Sequence, residues 1–413
     1  MDKRCLHLRP CPPESRGDWR RRAFTVERAT AGRVESAETL WFEWPLAAGM
    51  PATDDVEPAL VAVVLLAMAE RRDIVCTGWV SRALLANLAE FMSAWACWCP
   101  DLYQPVEISG PVVETAPLPA GRQGAVSAYS GGLDASFTVW SHHARQRGAQ
   151  STDIRMAAMV QGFDIPLAED AAFARATATA QRVLAPLGVE LVPVRTNFRD
   201  VVRINWEHSH AGGLAGVLHL FKNGLAKGII PSSEPYNRLI LPWGSNPITD
   251  PLLSGAGYPI VHDGAGFCRT DKAGLLGAWR EGCDALRVCW TGEFYDGNCG
   301  RCEKCLRTVL NFRVHGLPAP ASLPNTVTAA QVEAMDLDAG ARRGEWSTLL
   351  AAAEAHGVTE DWVAVARRKL ARPIARHGLF RRGCQYVSAL LERRLFQPYR
   401  RRQRVRRQNA EAP

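Results

Sequence analysis

Two patterns of apolar and polar residues alternate along the middle of the chain. Short apolar runs predict buried strands, and longer runs with apolar residues three or four positions apart predict helices. The predicted strands are 125–129, 154–160, 189–194 and one that begins at 229, and the predicted helices between them are 134–147, 168–187 and 211–228. Such alternation predicts an α/β fold with a doubly wound parallel sheet and helices on both faces.

The first 120 residues follow a different pattern. Residues 40–44 alternate as in an aromatic strand, and 59–69 and 83–98 have the apolar content of buried helices. The stretch 111–124 is rich in Pro and Gly, which indicates a boundary. We therefore expect three parts. They are an N-terminal α+β unit over 1–120, a central α/β domain over 121–320 that ends in a group of cysteines, and a helical C-terminal region over 321–413 that ends in a basic tail.

The first central strand is followed by Ser130-Gly131-Gly132-Leu133-Asp134 and then by a helix. The glycines let the main chain approach an anion closely, and the N–H groups at the helix start point toward it. Ser130 and Ser136 add hydroxyl groups, and Asp134 can receive Mg²⁺ or cap the helix. This pattern favours a phosphate site over a plain turn. Two further sets of residues could line a ligand pocket beside this loop: the 242–250 loop and the pair Arg269 and Lys272. A structural role is equally plausible for each.

This loop resembles the Ser-Gly-Gly-x-Asp-Ser signature of the PP-loop ATP pyrophosphatases. The resemblance implies that ATP is split between its α and β phosphates and that AMP is attached to a carboxylate, amide or carbonyl oxygen. It implies that residues 130–134 hold the pyrophosphate, with Ser130 and Asp134 as catalytic residues. It also places Gly162 and Asp164 beside the nucleoside. Ala135 stands where the family has its second Ser.

Four of the twelve cysteines lie close together, in the pattern Cys289-x9-Cys299-x2-Cys302-x2-Cys305. Four thiolates favour a closed structural Zn²⁺ site, although an iron–sulfur cluster or cysteines without a metal also fit the spacing. The segment is similar to the zinc segment of 7-cyano-7-deazaguanine synthase-like proteins, which Gly300 and Arg307 also match. That resemblance implies a zinc knuckle.

The net charge of +7 is concentrated at the C-terminus, where residues 367–407 hold 15 Lys or Arg and one acid. Such a tail can contact nucleic acid or an acidic membrane, but a solvated end is favoured. The longest apolar run, 59–69, is shorter than the roughly 20 residues that cross a bilayer, and we find no secretory signal. We therefore expect a cytoplasmic protein with a small-molecule substrate, and a homo-oligomer is compatible with the sequence.

These features together predict an ATP-dependent adenylating synthetase or ligase that forms AMP and pyrophosphate and uses Mg²⁺ with ATP. Two alternatives remain open. One is a tRNA-thiolating sulfurtransferase in which the cysteines hold an iron–sulfur cluster. The other is a nucleotide-binding regulatory protein without catalysis, which the missing hydroxyl at Ala135 would suit.

Overall fold

A computed structural model of the protein describes residues 3–51, 54–289, 294–337 and 342–372. The strands are β1 Arg4–Pro10, β2 Glu14–Arg16, β3 Trp19–Thr30, β4 Arg33–Pro45, β5 Asp73–Cys76, β6 Val80–Ser81, β7 Ile108–Ser109, β8 Val112–Val113, β9 Ala125–Ala128, β10 Ile154–Gln161, β11 Glu190–Thr196, β12 Lys227–Pro231 and β13 Ile260–Asp263. The helices are α1 Glu57–Glu70, α2 Arg82–Trp98, α3 Leu133–His143, α4 Asp170–Leu184, α5 Phe198–Val201, α6 Trp206–His219, α7 Arg269–Leu276, α8 Arg280–Asp284, α9 Glu303–Arg313, α10 Ala329–Ala334, α11 Arg342–Ala355 and α12 Asp361–Ala371.

Within the described residues, eleven strands form one sheet in the order β13-β12-β9-β10-β11-β4-β3-β1-β5-β7, with β2 paired to β3. The five strands from β13 to β11 are parallel to one another. The sheet continues from β11 through β4, β3 and β1, and each of these strands is antiparallel to the one before it. The last two strands, β5 and β7, are parallel to β1. The predicted α/β class with a mostly parallel central sheet is thus confirmed.

Both faces of the parallel strands are covered. Two hydrophobic cores lie on opposite faces of these strands. Successive buried residues of a strand face different cores, as Ala157 and Ala158 of β10 do. One core contains residues of α1, α2 and α6, and the other contains residues of α3, α4, α7 and α9. Continuous apolar strands follow from this arrangement, because neither face of the sheet meets water. No described helix has both the length and the apolar character that a membrane crossing requires.

The N-terminal strands continue the parallel sheet. β4 pairs antiparallel with β11, with Phe42 opposite Thr196. Beside this pairing, the Thr196 hydroxyl donates to the carbonyl of Trp41 at 2.7 Å, and the N–H of Trp41 donates to the Asn197 side chain at 2.9 Å. The segment before residue 120 therefore shares one sheet with the segment after it. The domain division at residue 120 stays a prediction.

A buried group of charges also joins the two segments. Lys222, which follows α6, lies 2.7 Å from a carboxylate oxygen of Asp55 and 2.6 Å from one of Glu57, which opens α1. None of the three side chains is more than 1% exposed. Because a buried ammonium without a partner is costly, these ion pairs fix α1 against α6.

The C-terminal helices α10 to α12 pack through Val332, Trp346 and Trp362 into the same core as α9. The start of α10 is capped, because Thr328 and Gln331 form a capping box. The arginine-rich tail beyond residue 372 lies outside the described residues.

Candidate nucleotide-binding site

The glycine loop lies where the chain order of the parallel strands reverses. β9 is followed along the chain by its neighbour β10, whereas its other neighbour, β12, comes later in the sequence. Ligands of open parallel sheets bind outside the carboxyl ends of the strands at such a switch point. Residues 129–132 connect the carboxyl end of β9 to α3 and therefore occupy this position.

The loop has the backbone of a phosphate-binding turn. Gly131 has a φ of 75°, and Gly132 is the N-cap of α3 with its N–H directed to the Ser130 hydroxyl at 3.2 Å. The first turn of α3 thus begins directly after the glycines, which leaves its N–H groups for an anion. Ser136 is 1% exposed and lies 3.4 Å from the Tyr129 hydroxyl. Its contact with phosphate stays a prediction.

A cavity of about 710 Å³ opens at this loop. Of the predicted nucleotide contacts, five line it: Ser130, Gly132, Leu133, Asp134 and Asp164. Gly131, Ser136 and Gly162 are not among its lining residues. The cavity is also lined by residues at the carboxyl ends of β9, β10 and β12, so that these three strand ends meet at it.

Asp134 is held by two cations. Its Oδ1 lies 2.9 Å from Nζ of Lys272, and its Oδ2 lies 3.1 Å from the guanidinium of Arg269. Burial raises the pKa of Asp134, but the charges of Arg269 and Lys272 outweigh this effect and hold the pKa at about 2. The carboxylate is therefore ionised at neutral pH and already neutralised by side chains of α7.

The exit of β10 is shaped by Gly162 and the Gln161 amide. Gly162 has a φ of 101°, and a Cβ at this position would lie 1.9 Å from the carbonyl oxygen of Thr196. The Gln161 side chain donates to the Asp170 carboxylate at 2.9 Å, which closes the turn. The following residues then place Asp164 at the cavity, with its carboxylate exposed.

Arginine side chains from both sides of the cysteine cluster line the cavity, and one of them, Arg287, lies in a segment that no motif indicated. Arg287 donates to the Ser130 carbonyl at 3.1 and 2.9 Å through Nε and an Nη atom, and its own N–H donates to Gly131 at 2.8 Å. The segment before the cysteines is thereby fixed on the glycine loop. Arg307 of α9 also lines the cavity. Glu345 of α11 lies between Arg307 and Arg269 and forms an ion pair of 2.7 Å with each guanidinium.

The opposite wall of the cavity is aromatic. Trp206 and His210 of α6 line it together with Trp243, and the ring of His210 lies between the other two, with centroid distances of 5.8 and 5.6 Å. Burial lowers the pKa of His210, which favours a neutral imidazole. The 242–250 loop thus contributes Trp243 and Ser245 to the pocket wall. Its Asp250 is buried and pairs with His262 at 2.8 Å.

The four clustered cysteines converge as their spacing predicts. The sulfurs of Cys289, Cys299, Cys302 and Cys305 all lie within 4.8 Å of one another. Zn–S bonds of 2.3 Å place the sulfurs of a tetrahedron about 3.8 Å apart. The distances of 3.4 Å between Cys302 and Cys305 and 4.0 Å between Cys289 and Cys302 fit that geometry. These cysteines could hold a metal ion, and the donor set is compatible with Zn²⁺.

The cysteine cluster and the cavity share one helix. Cys302 is the N-cap of α9 and Cys305 is buried in its first turn, while Lys304 and Arg307 of the same helix line the cavity. Cys289 itself also lines the cavity. The Asn298 carboxamide supports this segment by accepting the N–H groups of Val288 and Cys289 at 2.8 and 3.1 Å. A metal at the cysteines would therefore fix one wall of the cavity.

Comparisons with known proteins give no further information on this site. No protein-family model matches the chain. A search of the curated proteins and a search of the solved structures also give no match. Any assignment of function therefore depends on the geometry described above and on the motifs that first indicated it.

Proposed function

We propose that the protein binds ATP in the cavity at the Ser130–Asp134 loop and transfers AMP to an oxygen of a small substrate, with release of pyrophosphate. The observation that carries this proposal is the position of the loop, at the switch point of a parallel sheet and at the mouth of a cavity with basic walls. We also propose that the sheet is doubly wound, since helices cover both of its faces.

The proposed roles follow the lining of the cavity. The N–H groups at the start of α3 bind the β and γ phosphates, and Lys304 adds positive charge. The exit of β10, with Gly162 and Asp164, lies beside the nucleoside. Mg²⁺ bound with ATP supplies further charge neutralisation, and the exposed Asp164 carboxylate is available to it because both oxygens of Asp134 already contact cations. Ser130 and Asp134 act by shaping the loop.

In the proposed reaction, an oxygen of a carboxylate, amide or carbonyl substrate attacks the α phosphorus of ATP. The bond between this phosphorus and the α–β bridging oxygen breaks, and pyrophosphate leaves with that oxygen and its electron pair. A nucleophile such as ammonia then displaces AMP from the adenylated substrate. This chemistry depends on positioning and charge neutralisation, which the loop and the basic residues supply. Zn²⁺ at the cysteines has a structural role, and the cytoplasm is the expected location.

Product analysis tests this function. The protein is incubated with Mg²⁺, ATP, an ammonium salt as the source of the nucleophile, and pools of small carboxylates, amides and carbonyl compounds, and the nucleotides are separated. The proposal expects AMP and pyrophosphate in equal amounts with at least one pool. Formation of ADP and phosphate in place of AMP would contradict cleavage between the α and β phosphates.

The ion pairs of Asp134 favour one second candidate, a nucleotide-binding protein without turnover. Both carboxylate oxygens contact cations, and Ala135 supplies no hydroxyl to the loop. Tight binding of ATP with no AMP formed from any pool, at enzyme concentrations that detect a single turnover, would favour this candidate over the synthetase.

A further inference from the structure

Five cationic side chains line the cavity, and they differ in what they already bind. Four have acceptors within the protein: Arg199 donates to the Phe163 carbonyl, Arg269 to Asp134 and Glu345, Arg287 to the Ser130 and Tyr295 carbonyls, and Arg307 to Glu303 and Glu345. Among the described residues, the ammonium of Lys304 has no hydrogen-bond acceptor and no ion-pair partner within 4 Å. Within the part of the chain that the structure describes, Lys304 is therefore the one of the five that lacks a hydrogen-bond acceptor, which leaves its N–H groups available to a ligand.

The position of Lys304 is set by the two cysteines on either side of it, Cys302 and Cys305. It lies in the first turn of α9, between the N-cap Cys302 and the buried Cys305, and it is half-buried at the cavity. The preceding residue, Glu303, accepts hydrogen bonds from Arg307 at 2.6 Å and from the Trp346 indole at 2.8 Å. The two residues between the cysteines thus have separate roles. Glu303 attaches the turn to the C-terminal helices, and Lys304 faces the cavity.

The energetics favour an anion at this position. An ammonium that is partly removed from water loses hydration, and among the described residues no carboxylate lies close enough to form an ion pair that would restore it. Arg269 and Arg307 carry the same charge and line the same cavity. An anionic oxygen of a ligand would give Lys304 the charge-assisted hydrogen bond that none of the described residues provides.

We propose that Lys304 contacts an anionic phosphate oxygen of the ligand directly and that a metal at the four cysteines holds it in place. The inference rests on the proposed function, because it assigns Lys304 to the phosphate part of the same site. It gives the metal centre a second role beyond stability. Metal bound by Cys302 and Cys305 fixes the turn from which Lys304 reaches the cavity.

Inorganic pyrophosphate is the probe that tests this inference, with binding measured by isothermal titration calorimetry on the full chain. We expect Lys304→Met to weaken pyrophosphate binding about 10- to 100-fold and Lys304→Arg to lose less, since the charge remains. Lys369→Met is the matched control, because Lys369 bonds to the Glu333 carbonyl on the C-terminal helices and does not line the cavity. Metal content and the thermal midpoint are measured for each variant, which separates loss of the ligand contact from loss of the fold.

Metal depletion completes the experiment. We expect depletion to weaken pyrophosphate binding by wild type to the level of Lys304→Met and to change the binding by Lys304→Met little further. Wild-type affinity in a metal-loaded Lys304→Met would overturn the role of the lysine. Independent losses from depletion and from the variant would overturn its dependence on the metal. Absence of pyrophosphate binding by the metal-loaded wild type would contradict the proposed function itself, and the inference with it.

Discussion

Asp134 and Lys272 form an ion pair that joins the glycine loop to α7, with 2.9 Å between Oδ1 and Nζ. The Lys272 ammonium is 1% exposed and also donates to the Ser232 carbonyl at 2.5 Å, just beyond the end of β12. The loop after β9 and the exit of β12 are therefore held by one buried cation. This contact makes Asp134 part of the support of the site as well as part of its wall.

Asp134→Asn should destabilise the protein, because it leaves the buried Lys272 without its carboxylate. Breaking a buried pair costs about 3 to 5 kcal/mol, and we expect the lower part of this range because Asp134 remains 20% exposed. Urea denaturation measures the change. Asp296→Asn is the control, since it removes only a surface pair with Arg175 and should cost less than about 1 kcal/mol. A loss for Asp134→Asn no larger than this control would show that the pair does not support the loop.

Gly162→Ala should destabilise the protein more than the addition of one methyl group normally does. The new Cβ would lie 1.9 Å from the Thr196 carbonyl oxygen, so that β10 and β11 must move apart next to Asp164. Gly188→Ala is a matched control with a φ of 71° and no atom within 4 Å of the new Cβ. Left-handed strain alone costs roughly 1 to 2 kcal/mol. We expect Gly162→Ala to exceed the control clearly in urea denaturation, and equal losses would contradict the close approach.

Glu234 should make the stability depend on pH. Burial raises the pKa of Glu234 from 4.5 to about 7; Arg269 opposes the rise, and Glu345 and Asp134 add to it. Between these values the folded protein binds more protons at this group than the unfolded chain does. Its contribution to the free energy of unfolding therefore falls as pH rises from about 4.5 to about 7.

Glu234→Gln tests this dependence, because the amide does not titrate. The thermal midpoint of the variant minus that of wild type should increase between pH 5 and pH 8. Glu354→Gln, an exposed residue that pairs with Arg367, is the control. A difference that stays constant over this range for Glu234→Gln would show that the carboxyl is not protonated in the folded protein near neutral pH.

Metal removal should lower stability, since the cysteines join α9 to the loop before it. Structural zinc sites contribute directly to the free energy of folding. We expect chelation and Cys289→Ser each to lower the thermal midpoint by several degrees, and Cys97→Ser, an exposed cysteine outside the cluster, to leave it unchanged. Elemental analysis should find about one zinc per chain in colourless protein. Iron with brown absorbance would instead indicate an iron–sulfur cluster.

Periodicity predicted much of the parallel sheet because its strands are apolar throughout. The strand predicted at 154–160 is β10, and the helix predicted at 83–98 is α2. The helix predicted at 211–228 was shifted, since α6 begins at Trp206 after the Asn205 cap and ends at His219. The glycines of this helix serve its packing. A Cβ at Gly212 would lie 2.8 Å from the Val61 carbonyl oxygen, so that glycine lets α6 approach α1 closely.

Contacts between distant segments could not be predicted in this way. The pairing of β4 with β11 joins residues more than 150 positions apart, and nothing in either strand specifies its partner. The same holds for Arg287 and Lys304, which reach the cavity through the fold of the cysteine segment. Arg287 belongs to no motif, and Lys304 occupies a variable position of one, so that its residue type carried no signal. The Cys-x-x-Cys spacing that surrounds Lys304 was the nearest available indication.

An adenine nucleotide should bind at the Ser130–Asp134 loop. Titration calorimetry with Mg²⁺ and α,β-methylene-ATP, which cannot be cleaved at the proposed bond, tests it most directly when wild type is compared with Gly131→Val. Gly131 has a φ of 75°, so that a β-branched residue distorts the loop. We expect one bound nucleotide per wild-type chain and a loss of binding in the variant, with the metal content unchanged. No binding by wild type, or equal affinity in a folded Gly131→Val variant, would contradict it.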